Sequence, residues 1–442
     1  MREFPLEFEK NMREMLGEEA GDFFRALQNP PALALRWNPL RGGEERAARF
    51  GTDPVPWEPL GRYLTREKPG NSIEHFAGAL YLQEASAMAP ARALHPEPGD
   101  RVLDLCAAPG GKSGQIAAML EGRGVLVSNE IDRSRAGVLA GNLERLGARN
   151  AVVCSEHPGL LAEKWPETFD KILVDAPCSG EGMFRRDAGA VDAWSAQAPE
   201  GCARRQREIL ESAASMLRPG GRLAYSTCTY NARENEGVAE EFLQAHPEFA
   251  PEEFSLPGIG EAREGMLRLW PHRLRGDGQF VFCARKRGEA RGSRQSALRP
   301  RDCARALDAL GEEIALPDFL RGRSLLLRGK RLYALPAETP PLEGIRVVAP
   351  GLAVLRMEKN RVEPEHALAM ALDPERTRCA PLSGEQAARY LSGEEMEISG
   401  EAGWRLVTCR DLPLGWGKLA AGRLKNHLPK GLRKQTRFWE CE

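Results

Sequence analysis

The sequence has no pair of cysteines spaced as Cys-x-x-Cys, although it contains 10 cysteines, and its 7 histidines are scattered along the chain. Zinc sites usually need closely spaced cysteine and histidine ligands, and small disulfide frameworks need cysteines in a short, secreted chain. We therefore expect reduced thiols, no disulfide framework and no metal site.

The sequence also has no apolar run of membrane-spanning length and no apolar segment of a signal peptide at its start. These absences predict a cytoplasmic protein without a membrane partner. The net charge is only −1, which would argue against a polyanionic partner if the charges were evenly spread. They are not, because residues 285–301 and 418–437 are strongly basic.

From residue 99 onwards, short apolar runs alternate with amphipathic segments, which predicts a mostly parallel, doubly wound α/β sheet. A late apolar run at 279–284 predicts an antiparallel strand at the edge of that sheet. The predicted parallel strands are 102–105, 124–129, 151–154, 171–174 and 222–226, and the predicted helices between or after them are 113–120, 133–146, 202–217 and 234–246.

The chain of 442 residues is too long for one compact core, so we expect several domains. Residues 5–90 show helical spacing of apolar residues, which predicts a small N-terminal α/β domain rich in helix. Short strands and glycine turns follow the basic stretch near residue 300, for example a predicted hairpin at 324–333. The predicted domains are 1–95, 96–287, a basic linker at 288–302, a small β-containing domain at 303–366, and a C-terminal β-containing domain at 367–442.

A glycine-rich turn follows the first predicted strand of the sheet. Backbone amides of such a turn, at the start of a helix, can approach an anion or carboxylate closely. Glu130 closes the next strand, where an acidic side chain binds the two hydroxyls of a ribose. The Gly-x-Gly-x-x-Gly spacing of dinucleotide sites is absent, which favours an adenosyl cofactor without a pyrophosphate, most commonly S-adenosylmethionine. The turn consists of Cys106, Ala107, Ala108, Pro109, Gly110, Gly111 and Lys112.

The glycine-rich turn and Glu130 each also have a plainer interpretation. A Gly-Gly turn after a strand can be only a tight connection, and Glu130 can be a solvated carboxylate at the end of a strand.

Two cysteines follow two predicted parallel strands, Cys178 in Asp-Ala-Pro-Cys and Cys228 in Ser-Thr-Cys-Thr. Because ligands bind beyond the carboxyl ends of parallel strands, we expect both thiols in one crevice. This pattern suits methylation of cytosine at C5, a poor nucleophile that reacts only after a thiolate has attacked C6. Cys228 is placed for that attack, Asp175 for giving a proton near N3, and Cys178 for assisting the final elimination. The other cysteines are interpreted as small apolar side chains.

Three segments, DLCAAPGGK (104–112), DAPCSGEGMFR (175–185) and YSTCTY (225–230), resemble the motifs of the Nol/Nop/Sun family of RNA cytosine-C5 methyltransferases. The resemblance also includes GALYLQE (78–84) and a C-terminal portion similar to a small PUA-like RNA-binding domain. It implies a Rossmann-like class I S-adenosylmethionine-dependent core and an RNA substrate, within a bacterial type that acts on small-subunit ribosomal RNA. By the same resemblance Cys228 is the nucleophile and Cys178 the release cysteine, and residues 106–112, Glu130 and Asp175 are cofactor contacts.

One position departs from the family pattern. After the third strand the family often has an aspartate near the adenine, whereas this chain has Ser155, Glu156, His157 and Pro158. Either Glu156 or His157 can substitute, or the backbone can suffice, and this adenine contact stays open.

Alternative functions share parts of this pattern. A tRNA cytosine-C5 methyltransferase would have the same core, and a non-catalytic RNA-binding ribosome-assembly factor could retain the fold. An amino-methyltransferase fits less well, because such enzymes need no thiol and have Asn/Asp-Pro-Pro-Tyr/Phe where this chain has Asp-Ala-Pro-Cys. The pattern indicates neither a DNA partner nor an oligomeric state.

The basic stretch 418–437 contains no acidic residue and is flanked by Trp416, Phe438 and Trp439. Basic side chains neutralise phosphates, and aromatic rings stack on unpaired bases. The stretch is therefore a candidate RNA contact, although a solvated terminus would have the same composition.

Overall fold

The computed structural model describes residues 3–42, 44–65, 69–289, 304–359 and 361–434. Most of the predicted basic linker, Cys303 and the end of the chain with Arg437, Phe438, Trp439 and Cys441 lie outside these ranges. The α-helices are α1 (Leu6–Leu16), α2 (Ala20–Gln28), α3 (Glu44–Ala48), α4 (Ile73–Phe76), α5 (Ala89–Leu94), α6 (Gly111–Met119), α7 (Arg133–Arg145), α8 (Pro158–Lys164), α9 (Ala188–Ala193), α10 (Ala198–Met216), α11 (Glu236–Ala245), α12 (Ala304–Glu313), α13 (His366–Ala371) and α14 (Gly384–Ser392).

The strands form one large sheet and several small ones. They are β1 (Ala34–Trp37), β2 (Pro54–Val55), β3 (Glu58–Tyr63), β4 (Leu80–Leu82), β5 (Arg101–Asp104), β6 (Val125–Asn129), β7 (Ala151–Cys154), β8 (Phe169–Asp175), β9 (Leu217–Thr227), β10 (Phe249–Pro251), β11 (Ser255–Leu256), β12 (Gly260–Glu261), β13 (Met266–Leu269), β14 (Gln279–Lys286), β15 (Leu325–Arg328), β16 (Arg331–Ala334), β17 (Val347–Ala349), β18 (Leu352–Glu358), β19 (Arg361–Pro364), β20 (Cys379–Pro381), β21 (Met396–Glu397), β22 (Gly403–Cys409), β23 (Leu412–Ala420) and β24 (Arg423–Asn426).

The central sheet has nine strands in the order β10-β14-β9-β8-β5-β6-β7-β17, with β13 also paired to β14. Strands β7, β6, β5, β8 and β9 are parallel, as the sequence predicts. Strand β14 is antiparallel, which is also confirmed, but the prediction that it forms the edge is wrong. It pairs with β9 on one side and with β10 and β13 on the other.

The position of β14 follows from burial on both of its faces. Phe280 and Phe282 pack into the core on one face of the sheet, and Val281 and Cys283 into the core on the other. All four side chains are fully buried, so a strand this apolar needs neighbours on both sides as well as on both faces.

The N-terminal region contains a four-stranded antiparallel sheet in the order β2-β3-β1-β4. The helical spacing of Phe8 and Met12 is confirmed, since both are buried in α1. The strands β1 and β3 were missed because buried charged residues, among them Arg36 and Glu58, interrupt their apolar pattern.

The C-terminal portion has two small sheets. The predicted hairpin is confirmed as β15 and β16 of a four-stranded sheet, and a five-stranded sheet follows in the order β20-β22-β23-β24-β21. Strand β17 instead joins the central sheet beside β7. Within the described ranges, no helix has the length and apolarity to cross a membrane, and no group of histidine, cysteine or acidic side chains is arranged to hold a metal ion.

Candidate active site

The two cysteines singled out from the sequence lie side by side. Strands β8 and β9 are parallel neighbours with Asp175 opposite Ser226, so the segments that leave them emerge at the same edge of the sheet. The Sγ atoms of Cys178 and Cys228 are 3.4 Å apart. Both cysteines are free and partly exposed, so the pair is accessible from the surface of the protein.

The contact with Cys228 affects the pKa of Cys178. The hydrogen-bonding contact with Cys228 raises the pKa of Cys178 well above its ordinary value, and burial adds to this effect. Cys178 therefore retains its proton at neutral pH and can donate it to a neighbouring sulfur.

A buried carboxylate holds the segment after Cys228 in place. Glu181 Oε2 accepts hydrogen bonds from Thr229 Oγ1 at 2.7 Å, Tyr230 N at 2.8 Å and Asn231 N at 2.9 Å. Burial raises the pKa of Glu181, although these donors act in the opposite direction. One side chain from the Cys178 segment thus fixes three consecutive residues of the Cys228 segment.

The backbone of the two segments also meets directly. Gly182 N donates to Cys228 O at 2.8 Å. A Cβ at position 182 would lie 2.2 Å from that carbonyl oxygen, a distance that only glycine avoids.

A second buried carboxylate, Glu234, ties the Cys178 segment to a helix. It accepts hydrogen bonds from Ser179 N at 2.9 Å, Gln206 Nε2 at 2.8 Å and Asn231 Nδ2 at 2.8 Å. Sequence reasoning missed both Glu181 and Glu234. In the sequence, each is only an acidic residue a few positions after one of the two cysteines. Such a position does not predict a structural role until the fold shows that the two segments are in contact.

Asp175 lies at the end of β8 among three donors. Its carboxylate accepts hydrogen bonds from Lys112 Nζ at 2.7 Å, Ser226 Oγ at 2.7 Å and Gln279 Nε2 at 3.2 Å. Burial opposes the charge of Lys112, but the Asp175 carboxylate outweighs it and raises the pKa of Lys112. In this arrangement Asp175 accepts three hydrogen bonds, and Lys112 is the charged donor among the three.

The glycine-rich turn leaves β5 and enters α6 at the same edge. Gly110 has φ +111°, a left-handed conformation that glycine adopts without strain. Asp104 ends β5 fully buried. Its Oδ2 accepts a hydrogen bond from Ser113 Oγ at 2.6 Å, whereas Oδ1 has no partner. Burial raises the pKa of Asp104 to about 7.

Glu130 follows β6, next to the turn, with its side chain almost fully buried. One carboxylate oxygen accepts a hydrogen bond from Asp132 N at 3.0 Å, and the other lies 3.4 Å from Arg135 Nη1. The adjacent Asn129 amide donates to the carbonyls of Leu105 and Glu156, at 3.2 and 3.0 Å. The segments after β5, β6 and β7 are therefore connected at this edge.

Glu156 and His157, the two candidates for an adenine contact, both have hydrogen-bond partners within the chain. Glu156 Oε2 accepts a hydrogen bond from Arg346 N at 3.3 Å. His157 is exposed and caps α8, its Nδ1 accepting from Gly159 N at 3.2 Å.

The N-terminal region covers one side of the turn. The buried Arg36 donates to Gly111 O at 3.2 Å and to Gln83 Oε1 at 3.3 Å. A Cβ at position 111 would lie 3.1 Å from Tyr81 and 3.4 Å from Gln83. The GALYLQE segment therefore packs directly on the start of α6.

The predicted aromatic contribution of Trp416 to RNA binding is wrong. Trp416 is buried, and its Nε1 donates to Glu365 O at 2.9 Å. Among the basic residues of this stretch, Lys418 and Arg423 have acidic partners, and Lys425 and Lys430 are exposed. Trp416 is a residue of β23, which pairs with β22. The spacing of the basic residues does not reveal that this ring is buried.

Four family models match consecutive parts of the chain. They describe the N-terminal domain of 16S rRNA methyltransferase RsmF (residues 4–85), 16S rRNA methyltransferase RsmB/F (91–285), the first C-terminal domain of RsmF rRNA methyltransferase (311–372) and the RsmF PUA domain (377–434).

Relatives match over nearly the whole length. Ribosomal RNA small subunit methyltransferase F of Aliivibrio fischeri (strain MJ11) is 34% identical over 93% of both chains. The protein of that name from Enterobacter sp. (strain 638) is 33% identical over 99% of this chain and 97% of its own.

Two solved structures from Pyrococcus horikoshii share the fold. A methyltransferase homolog is 30% identical, with a TM-score of 0.56 over 64% of this chain and 95% of its own. An NSun6 is 23% identical, with a TM-score of 0.57 over 65% of this chain and 99% of its own.

Proposed function

The chain belongs to the family of ribosomal RNA small subunit methyltransferase F, and from that premise we propose that it methylates C5 of a cytosine in 16S rRNA, with S-adenosylmethionine as methyl donor. The observation that carries the proposal is the pair of thiols 3.4 Å apart beside Asp175 and Lys112. A methyltransferase acting on a nitrogen or a hydroxyl oxygen needs no such pair.

The residues at the edge of the sheet fit S-adenosylmethionine. Glu130 is placed for the ribose hydroxyls and the glycine-rich turn for the carboxylate end. The unpartnered Oδ1 of Asp104 is a buried acceptor suited to an ammonium group. The cofactor supplies an electrophilic methyl group, and the protein's own residues activate the base.

In the first step, the Cys228 thiolate attacks C6 of the cytosine, and a carbon–sulfur bond forms as the C5–C6 double bond opens. The electron pair moves towards N3, which takes a proton from Asp175, and the hydrogen bond from Lys112 to Asp175 lets Lys112 supply that proton. The ring, now saturated at C6, is an enamine whose C5 can accept a methyl group.

In the last step, C5 loses its proton to a base, the C5–C6 double bond re-forms, the electron pair of the carbon–sulfur bond returns to Cys228, and N3 gives its proton back to Asp175. The Cys178 thiol, held protonated by its raised pKa, donates a hydrogen bond to the departing sulfur. Glu181 and Glu234 keep the two sulfurs at contact distance during this exchange.

The test is transfer of a labelled methyl group by the full chain to purified 16S rRNA, small ribosomal subunits and tRNA. We expect 5-methylcytosine in 16S rRNA, located by bisulfite sequencing, and loss of that signal in a strain lacking the protein. Labelling of tRNA alone would move the substrate to tRNA, and no labelling of any RNA would favour a binding factor. Comparing naked rRNA with the subunit identifies the form that is recognised. A cytoplasmic location goes with this proposal.

A further inference from the structure

Three arginines from separate parts of the chain lie close together near the amino ends of the parallel strands of the central sheet. The two cysteines lie at the opposite, carboxyl ends of these strands. Arg41 follows β1, Arg149 lies in the turn that leads into β7, and Arg323 precedes β15. Arg149 precedes the start of β7, whereas the cysteines follow the ends of β8 and β9, so the two places are at opposite ends of the parallel strands. We refer to Arg41, Arg149 and Arg323 as the arginine cluster.

Arg41 is the most enclosed member and has donors to spare. It is 6% exposed, and its Nε and Nη2 have no hydrogen-bond partner. Nη1 makes one long contact, 3.4 Å, with Leu372 O. A Cβ at position 147 would lie 2.3 Å from Arg41 Nη2, so Gly147 leaves the room that this guanidinium occupies.

The other two members share an aromatic ring. The Arg149 and Arg323 guanidinium carbons lie 4.5 and 6.0 Å from the centre of the Phe319 ring. Arg323 also donates to the Arg149 carbonyl, and Arg149 Nε has no partner. Two guanidinium groups are therefore held against one ring with donors still available.

The charges of the cluster are poorly compensated. Burial and the nearby Arg149 lower the pKa of Arg41 to about 9, and burial followed by Arg149 lowers the pKa of Arg323. Asp373 is the acid that acts on Arg41 and Arg149. Its carboxylate is shared, since it accepts a hydrogen bond from Glu375 N at 3.1 Å and lies 3.8 Å from Arg376 Nε.

We propose that the arginine cluster binds a phosphate group. Guanidinium groups match the oxygens of a phosphate, and an anion would supply the acceptors that Arg41 and Arg149 lack. The phosphate can belong to the RNA backbone or to a free phosphate ion. Either ligand would join the N-terminal region, the central sheet and the first C-terminal sheet at one point.

The first experiment measures thermal unfolding of the full chain in increasing inorganic phosphate, against sodium chloride of equal ionic strength. The test variant is Arg149→Gln/Arg323→Gln, whose side chains are partly exposed. The control is Arg321→Gln, because Arg321 lies two positions from Arg323 and is 84% exposed. Phosphate should raise the unfolding temperature of the unaltered chain and the control, with a Kd increased about tenfold or more in the double variant. An equal response of all three proteins overturns the proposal.

The second experiment identifies the source of the phosphate by measuring RNA affinity against salt concentration for the same three proteins. If the cluster contacts the RNA backbone, the double variant loses about 0.7 in the log–log slope for each lost contact to a single strand. An unchanged slope with a lost phosphate response assigns the site to a free phosphate ion. Neither readout depends on methyl transfer, so failure of the proposed function and failure of this site are distinguishable.

Discussion

At the scale of single residues, a substitution of Cys178 can separate the formation of the covalent bond between Cys228 and RNA from the breakage of that bond. Cys178→Ala should accumulate a covalent protein–RNA adduct, because in the proposed mechanism Cys228 still attacks C6 while its departure is no longer assisted. The adduct is measured as a shifted band under denaturing conditions. It should be absent in Cys228→Ala and in Cys178→Ala/Cys228→Ala, and all three should bind S-adenosylmethionine within a few-fold of the unaltered chain. Normal turnover without a band in Cys178→Ala would leave Cys178 a packing role only.

Glu130 gives a prediction for cofactor binding. Glu130→Ala should weaken S-adenosylmethionine binding by roughly 1–3 kcal/mol, the range for a lost hydrogen bond to a charged group. Calorimetric titration measures this, and the same titration on His157→Ala tests the open adenine position, where we expect only a small effect because His157 is exposed and caps α8. An unchanged dissociation constant in Glu130→Ala would place the ribose contact on another residue.

Asp104 links the cofactor site to pH. Its pKa rises from 3.8 to about 7 through burial, so the folded protein binds this proton more tightly than the unfolded chain. The contribution of Asp104 to the free energy of unfolding therefore falls as the pH rises between about 4 and about 7.

Asp104→Asn removes that dependence. Without cofactor, the variant should unfold at a higher temperature than the unaltered chain at about pH 8, with a smaller difference at about pH 5, where Asp104 is already protonated. Thermal melts at both pH values measure this. A difference independent of pH would mean that the buried carboxyl does not titrate in this range.

At the scale of elements, the fit between the segments after β8 and β9 depends on a residue without a side chain. Gly182→Ala should reduce kcat strongly, because its Cβ must displace the Cys228 carbonyl, 2.2 Å away. Gly180→Ala is the matched control. Gly180 has φ +74°, so alanine is strained there, but it has no neighbour within 4 Å. Equal losses in the two variants would mean that the close approach to the Cys228 carbonyl is not the reason for the effect at position 182.

The same elements show what the sequence could predict. Apolar runs predict the parallel strands, and the residues that follow them place Cys178, Cys228 and Asp175 at one edge of the sheet. The sequence pattern does not predict Glu181 and Glu234, because a buried acid is recognisable only by donors distant in the chain. The pattern also does not predict strands β1 and β3, because buried charged residues such as Arg36 and Glu58 interrupt their apolar runs.

At the scale of the whole molecule, the contribution of the end of the chain to RNA binding can be tested by truncation. A chain ending at Leu414 would cut through β23, whereas one ending at Lys434 retains all five strands of the last sheet. Removing residues 435–442, which include Arg437, Phe438 and Trp439, should weaken RNA binding and flatten its salt dependence by about 0.7 per phosphate contact. Cofactor affinity should not change. Titrations at several salt concentrations measure this, and an unaltered slope would exclude these residues as an RNA contact.

Strand β17, from the C-terminal portion of the chain, pairs with β7 and is therefore part of the central sheet. Val347 lies opposite Cys154, and Ser155 N donates to Arg346 O at 2.9 Å. A fragment ending at residue 287 would keep every catalytic side chain but leave β7 as an open edge with unpaired amides and carbonyls. Such an edge is a template for strands of other copies. By pairing β17 with β7, the C-terminal portion of the chain thus covers an edge through which the sheets of separate copies could otherwise pair.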